Sequence, residues 1–214
     1  MSGVRETVIV IDDDLSVREA IEGLLQSVGF DVRVYGSVGD FLAAPFPDTV
    51  RCILSDVRMP GRSGLDLQEH LKRAAIAIPM VFMSAHGDVP MSVRALKNGA
   101  IDFLVKPVRE QDLLDAVRKA LDQDRKARED HSQLQQLLNR TSKLTEREKK
   151  VFEMVCTGLI NKEIAFRLGI KEITVKVHRA QVMSKLGAPN IAGLIRIHDR
   201  IVKADDSGLG RHSL

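Results

Sequence analysis

Three apolar runs, the first two of them containing β-branched residues, each lead directly into a short polar segment. The polar segments are Asp12-Asp13-Asp14 after residues 8–11, Ser55-Asp56-Val57-Arg58 after residues 52–54, and Lys106-Pro107 after residues 103–105. Runs without polar alternation are typical of strands buried on both faces of a parallel sheet. Because the carboxyl ends of parallel strands meet at one edge, where open α/β sheets bind ligands, we expect these polar segments to lie together.

Strand-like and helix-like segments alternate over the first half of the chain, which indicates a parallel sheet covered by helices. Two further strands are indicated by the apolar segments at residues 32–35 and 80–83. The segment Ser16-Val17-Arg18-Glu19 has the spacing of a capping box and predicts the start of the first helix. Five strand–helix pairs predict a flavodoxin-like α/β domain over residues 1–121, with strand order 2-1-3-4-5.

The acidic segments bring carboxylates close together if the strand ends meet. Asp12, Asp13 and Asp56 would face Lys106, and carboxylates held so closely repel one another unless a cation lies between them. A site made only of oxygen ligands suits Mg²⁺. Asp56 is the candidate nucleophile for a phosphoryl group, and the hydroxyl of Ser84, at the end of the fourth strand, can donate a hydrogen bond to that group.

The segment at residues 122–140 is polar over most of its length and contains neither Gly nor Pro. Opposite charges recur four positions apart, as at Asp124 and Arg128, and this spacing supports an exposed helix. We therefore predict a semi-rigid helical linker, and a disordered charged tether is the alternative.

The charge of the chain changes sign along its length. Residues 141–214 carry 14 Lys and Arg against 8 Asp and Glu, whereas residues 1–122 carry 14 Lys and Arg against 18 Asp and Glu. This asymmetry indicates that only the later part meets a polyanion.

The basic part of the chain has the apolar spacing of helices. It predicts an all-α domain of four helices over residues 141–203. The short helix Asn161–Leu168, a turn containing Gly169, and the longer helix Glu172–Leu186 have the pattern of a helix-turn-helix. Residues 204–214 have few apolar side chains and are predicted to be a disordered tail.

Both halves carry the motifs of one regulatory family. The first half resembles the receiver domain of two-component response regulators, in its Asp12-Asp13 pair, Asp56-x-x-Met59-Pro60-Gly61, Ser84-Ala85 and Lys106-Pro107. The second half resembles the LuxR-type helix-turn-helix domain, in Leu144-Thr145-x-Arg147-Glu148, Asn161-Lys162-Glu163-Ile164-Ala165, residues 174–179, and Met183-x-Lys185-Leu186. A chain with both domains is similar to response regulators of the FixJ-like and NarL class.

The resemblance to receiver domains implies a role for each matching position. Asp56 would be the phosphoacceptor. The metal ligands would be Asp12, Asp13, Asp56 and the backbone carbonyl of Arg58. The residues that bind the phosphoryl group or switch with it would be Ser84, Lys106 and Phe103. The resemblance further implies a cis Lys106–Pro107 peptide bond and leaves Asp14 outside the metal pair, facing solvent or capping a helix.

The second helix of the helix-turn-helix carries the predicted DNA contacts. These are Thr174, Lys176, Val177, His178, Arg179 and Lys185. The basic side chains of Lys176, Arg179 and Lys185 are expected on one face, pointing toward a groove and its phosphates. Val177 is a candidate for contact with a thymine methyl group. For His178 a phosphate contact and a packed position both remain open.

As partners, the resemblance implies a sensor histidine kinase, double-stranded DNA, RNA polymerase and a second copy of the chain. Phosphorylation would promote a homodimer through the fourth helix and fifth strand, with Val89, Met91 and Arg94 as candidate contacts. No apolar run in the sequence is long enough to cross a membrane, and we expect a cytoplasmic protein. Beyond accepting a phosphoryl group and slowly losing it, no enzymatic activity is expected.

Two other functions are compatible with parts of the sequence. A Mg²⁺-dependent phosphohydrolase also forms an aspartyl-phosphate, but such enzymes typically place a second Asp two residues after the nucleophile. A phosphate-gated interaction module that does not bind DNA would not need the basic second domain. Repeated turnover of a small phosphoester, rather than one phosphorylation per chain, would identify the hydrolase.

Overall fold

The apolar runs of the first half form one parallel sheet. The structure, a computed structural model, describes residues 6–85 and 89–206. Its five strands are β1 (Thr7–Ile11), β2 (Asp31–Tyr35), β3 (Arg51–Asp56), β4 (Met80–Ser84) and β5 (Asp102–Val105). They are hydrogen-bonded in the order β2-β1-β3-β4-β5 and every pair is parallel, so the predicted flavodoxin-like order is confirmed.

Helices cover both faces of this sheet, and two apolar cores result. The helices are α1 (Leu15–Ser27), α2 (Val38–Ala43), α3 (Gly64–Arg73), α4 (Val89–Lys97) and α5 (Glu110–Thr141). One core packs Val8, Val10 and Leu54 against side chains of α1 and α5. The other packs alternate strand residues such as Ile9 and Ile53 against α2, α3 and α4. Strands β1, β3 and β4 are buried on both faces, as their unbroken apolar runs predict.

The first helix begins differently from the prediction. Asp14 is its N-cap, and the Asp14 carboxylate accepts hydrogen bonds from the backbone N–H groups of Ser16 and Val17. The proposed capping box beginning at Ser16 is therefore wrong, because Ser16 already lies inside the helix. Asp satisfies free N–H groups at a helix start as well as Ser does, so two candidate caps stood close together in the sequence.

Helix α5 continues without a break through the predicted linker. The chain divides into two compact units between Arg128 and Glu129, inside this helix. The first unit therefore extends past residue 121. Buried Asp124 explains the extension, since its carboxylate accepts hydrogen bonds from the backbone N–H of Arg51 (3.0 Å) and from Arg128 Nε (2.8 Å).

The second unit is helical after α5. Its helices are α6 (Glu146–Cys156), α7 (Asn161–Leu168), α8 (Glu172–Leu186) and α9 (Ile191–Asp206). A reciprocal capping box between Thr145 and Glu148 begins α6. Gly169 ends α7 in the left-handed region, at φ +64°, so α7, its turn and α8 form the predicted helix-turn-helix.

The last helix is longer than the sequence indicates. Helix α9 continues to Asp206, and Ala204 within it is buried. Residues 204–206 are thus helical and not part of a tail, while the predicted disorder of residues 207–214 lies outside the described residues. In the two described stretches, no helix combines the length and apolar character needed to cross a membrane.

Candidate functional site

Lys106 links two strand ends at the carboxyl edge of the sheet. Its ammonium lies 2.7 Å from Asp12 Oδ2 and 2.6 Å from Asp56 Oδ2. Asp12 follows β1 and Asp56 ends β3, and these strands are neighbours, whereas Lys106 follows β5. The Lys106–Pro107 peptide is cis, as the resemblance to receiver domains implies.

Asp13 completes an acidic cluster with Asp12 and Asp56. One carboxylate oxygen from each of the three lies within 4.8 Å of the others, an arrangement that could hold a metal ion. Asp12 is fully buried, Asp56 is buried and Asp13 is exposed, so the cluster opens to solvent on one side. Three carboxylates and one ammonium leave an excess of negative charge, and the all-oxygen donors suit a hard divalent cation such as Mg²⁺.

Burial and hydrogen bonding shift the ionisation of this cluster. Burial raises the pKa of the Asp12 carboxyl above its ordinary 3.8, more than the hydrogen bonds from Lys106 and from the Asp14 backbone lower it. Burial also lowers the pKa of the Lys106 ammonium, but the hydrogen bonds to Asp12 and Asp56 outweigh it and leave the pKa above 10.5. A cation beside Asp12 would favour its charged form.

The backbone around Asp56 is tightly packed. Asp56 Oδ1 accepts a hydrogen bond from the backbone N–H of Arg58 at 3.0 Å. The carbonyl of Asp56 faces Gly64, the first residue of α3, where a Cβ atom would lie 2.3 Å from that oxygen. Sequence reasoning missed Gly64, because its neighbour is known only once β3 and α3 are brought together.

The remaining predicted receiver residues lie on the adjacent strands. Ser84 ends β4 and is buried, and its carbonyl accepts a hydrogen bond from the backbone N–H of Lys106 at 2.8 Å. Phe103, on β5, is partly buried and packs against the core that includes α4. Asp14 caps α1 and lies outside the acidic cluster.

The second candidate site is the outward face of α8. Val175, Val182 and Leu186 are buried in the core of the second unit. Lys176 and Val177 are exposed, and Thr174 and His178 are partly buried. The Nδ1 atom of His178 is buried and makes no hydrogen bond within the described residues.

The prediction that three cations share the outward face of α8 is wrong. Lys185 lies about half a turn around the helix from Lys176, since nine residues span two and a half turns. Lys185 Nζ instead lies 2.6 Å from Glu148 Oε2, in an ion pair with a buried carboxylate of α6. Arg179 is partly buried and donates a hydrogen bond to Asn161 Oδ1. Lys176, in contrast, keeps its ion pair within α8, where its ammonium lies 3.9 Å from Glu172 Oε1.

Sequence reasoning also missed several exposed apolar side chains. On α4 and β5 they are Val93, Leu96 and Val105, and in the helix-turn-helix they are Ile160, Phe166 and Ile173. Val89 and Val177, which were already candidate contacts, are exposed as well. Of the candidates on α4, Val89 is exposed, Met91 packs against the core, and Arg94 pairs with Glu69 at 2.6 Å. The spacing of α4 contained this signal, because Val89, Val93 and Leu96 are four and three positions apart.

Comparisons with known proteins cover both units. Residues 8–118 match the response regulator receiver domain, and residues 142–198 match the luxR family of bacterial regulatory proteins. The chain is 45% identical over 200 residues to nodulation protein W of Bradyrhizobium diazoefficiens, which covers 94% of this chain and 88% of that protein. It is 41% identical over 188 residues to the transcriptional regulatory protein FixJ of Azorhizobium caulinodans, covering 88% and 89%. The structure of the response regulator StyR is similar, with a TM-score of 0.81 at 45% identity over 92% of this chain and 99% of that one.

Proposed function

Because this chain belongs to the two-component response regulators that join a receiver domain to a LuxR-type DNA-binding domain, we propose that Asp56 is the residue phosphorylated to control it. The observation that carries the proposal is the position of Lys106 Nζ, within hydrogen-bonding distance of Asp12 and Asp56 together. The receiver domain implies a histidine kinase as the phosphoryl donor.

The residues around Asp56 divide the work of phosphoryl transfer. A carboxylate oxygen of Asp56 would form the new bond to phosphorus as the bond from phosphorus to the donor breaks. Lys106 would turn from Asp56 to the phosphoryl oxygens and offset part of their charge. Ser84, buried at the neighbouring strand end, would donate a hydrogen bond from its hydroxyl to a phosphoryl oxygen, and Phe103 would move inward with it.

The oxygen atoms of the acidic cluster are ligands that suit Mg²⁺. Asp12, Asp13 and Asp56 would hold the ion together with the backbone carbonyl of Arg58, all of them oxygen ligands. When bound, the ion neutralises charge on the carboxylates and the phosphoryl oxygens. Asp14 would take no part, because its carboxylate caps α1.

The phosphoacceptor assignment is tested by mass. We expect the wild-type protein to gain one phosphate mass with acetyl phosphate and Mg²⁺, and Asp56→Asn to gain none. Asp13→Asn is the companion variant, which keeps the nucleophile and should be phosphorylated more slowly. A phosphate on the Asp56→Asn variant would refute the assignment. Rapid release of many phosphates per chain from excess acetyl phosphate, well beyond the slow loss expected of a response regulator, would indicate the hydrolase instead.

We further propose that phosphorylation promotes a homodimer through α4 and β5. Val89, Val93 and Leu96 form one apolar stripe on α4, and Val105 is exposed on β5. Lys106 and Ser84 border this face, so a change at the phosphoryl group is close to it. A two-fold dimer would match paired half-sites on DNA, about 34–36 Å apart for helix-turn-helix proteins.

The dimer is tested by sedimentation with and without beryllium fluoride as the phosphoryl mimic. We expect Val93→Glu to remain a monomer in both conditions. Val28→Glu is a matched control, because Val93 and Val28 are 42% and 43% exposed and Val28 lies at the end of α1. A constant oligomeric state in wild type, or equal effects of the two substitutions, would contradict this interface.

We also propose that α8 lies in the major groove of double-stranded DNA. Thr174, Lys176, Val177 and His178 are the residues proposed to meet it, whereas Arg179 and Lys185 are left to their contacts with Asn161 and Glu148. We also propose that the protein acts with RNA polymerase at the promoter. It would meet the DNA and the polymerase in the bacterial cytoplasm. Its support is the luxR-family match and the relatives named as transcriptional regulators.

A further inference from the structure

Helix α8 is apolar on two opposite sides. Its buried side carries Val175, Val182 and Leu186, spaced seven and four positions apart. The opposite side carries an exposed stripe of Ile173, Val177 and Ala180, spaced four and three positions apart. Ile173 is 63% exposed and Val177 is 51% exposed. We call Ile173, Val177 and Ala180 the outer stripe.

The outer stripe needs an explanation that the core does not provide. A helix at the surface of a domain usually turns one apolar side inward and a polar side to water. Exposed apolar side chains that form a contiguous stripe mark a surface that another molecule covers. In the function proposed above, α8 lies in the major groove of DNA, and the stripe would then face the edges of base pairs.

The charges around the stripe fit that occupant. Lys176 lies beside the stripe, with its ammonium exposed, and Lys171 immediately precedes α8. Arg179 instead donates a hydrogen bond to Asn161, and Lys185 forms an ion pair with Glu148. Cations at the edge of the helix can reach phosphates, whereas the three side chains of the outer stripe are apolar and can offer a base only van der Waals contact.

We propose that the outer stripe reads thymine 5-methyl groups and that Ile173 is a specificity-determining residue of this protein. The 5-methyl group of thymine is the apolar feature that a base pair presents in the major groove. Ile173 and Val177 lie on consecutive turns, so their side chains can contact methyl groups on successive base pairs. This inference rests on the proposed placement of α8 in the major groove.

The test uses duplexes selected by the full-length phosphorylated protein from a random-sequence library. Thymidines in the recovered half-sites are then replaced one at a time by deoxyuridine, which removes only the methyl group. We expect thymines in each half-site, and about a fourfold loss of affinity at each contacted one, the factor that burying one methyl-sized group gives. In the Ile173→Ala variant the loss at one of these thymines should disappear.

Two control variants distinguish recognition of the thymine methyl group from other effects on DNA binding. Lys176→Ala should weaken binding to thymine and uracil duplexes equally, because a phosphate contact does not sense the methyl group. Val202→Ala, an exposed valine on α9, should keep the full response to deoxyuridine. Wild-type binding that ignores deoxyuridine, or Ile173→Ala binding that keeps every loss, would overturn the inference. Failure to recover any preferred duplex would overturn the proposed DNA contacts as well.

Discussion

Lys106 and Lys176 are both cations at surfaces proposed to be functional, and their surroundings are very different. The Lys106 side chain is 19% exposed and is held by two carboxylates from two different strand ends. The Lys176 side chain is 59% exposed, and the nearest carboxylate described for it is Glu172, 3.9 Å away on the same helix. The proposed phosphorylation site is thus positioned by contacts between distant segments, whereas the proposed DNA-binding face is formed by one helix.

This difference predicts how substitutions will act. Around Asp56, a change in shape should damage the fold and the chemistry together, since the same packed backbone supports both. On the outward face of α8, a change should alter binding and leave the fold intact. The following variants test this contrast, from the largest expected effect to the smallest.

Gly64→Ala should have the largest effect. The added Cβ would lie 2.3 Å from the carbonyl oxygen of Asp56, so the start of α3 must move away from β3. We expect a loss of about 3 kcal/mol in the free energy of unfolding, at the upper end for overpacking, measured by urea denaturation, and slower phosphorylation. Gly23→Ala is the control, because a Cβ there would meet no described atom within 4 Å apart from its chain neighbours and the nearby backbone of its own helix, and alanine favours helix α1. Equal stability of the two variants would show that the backbone around Asp56 is not tightly packed against α3.

Asp13→Ala should weaken Mg²⁺ binding by at least tenfold, or about 1.4 kcal/mol, because it removes one of three clustered carboxylates. Asp14→Ala should leave Mg²⁺ affinity within about twofold and instead lower stability by about 1 kcal/mol through loss of the helix cap. Titration calorimetry with Mg²⁺ and urea denaturation measure the two effects. Equal losses of Mg²⁺ affinity would place Asp14 in the cluster.

Glu148→Gln should lower the stability of the second unit by about 1 kcal/mol at neutral pH. The hydrogen bond from Lys185 and that from the Thr145 backbone lower the pKa of Glu148 below its ordinary 4.5. A carboxyl whose pKa is lower in the folded protein than in the unfolded chain stabilises the fold at every pH above its unfolded pKa. This contribution is lost as the pH falls through the folded pKa. The difference between wild type and variant should therefore be constant from pH 6 to 8 and shrink below about pH 4.5. A difference that persists at pH 3 would mean that charge is not its cause.

Lys176→Ala should have the smallest effect and spare the fold. We expect the slope of log affinity against log salt to become shallower by about 0.9, the value for one neutralised phosphate, with unfolding unchanged. Affinity measured at several salt concentrations, with thermal unfolding of the same sample, gives both quantities. An unchanged slope would remove Lys176 from the phosphate contacts.

The strands and the acidic cluster were predictable because buried parallel strands leave a strong local signal. Unbroken apolar runs located β1 and β3, and the rule for ligand sites at strand ends brought Asp12, Asp56 and Lys106 together. The bounds of α7 and α8 follow from apolar spacing and from the glycines that end both helices.

The features that were not predicted are contacts between different helices and strands, and a helix start at which two residues could serve as the cap. The Lys185–Glu148 pair joins α8 to α6, and the Gly64–Asp56 contact joins α3 to β3. Neither pairing can be read from the spacing within one helix or strand. At the start of α1, Asp14 and Ser16 are both good caps, and propensity alone does not choose between them.

Asp124 sets a minimum length for any separately produced receiver fragment. A fragment ended at residue 121, where the strand–helix pattern stops, would leave the backbone N–H of Arg51 without the carboxylate that accepts its hydrogen bond. It would also discard Arg128, whose guanidinium holds that carboxylate and reaches Asp48 at 3.2 Å. Cloning boundaries for this domain should therefore lie at or beyond Arg128, and instability of a shorter fragment would not by itself count against the proposed phosphorylation site.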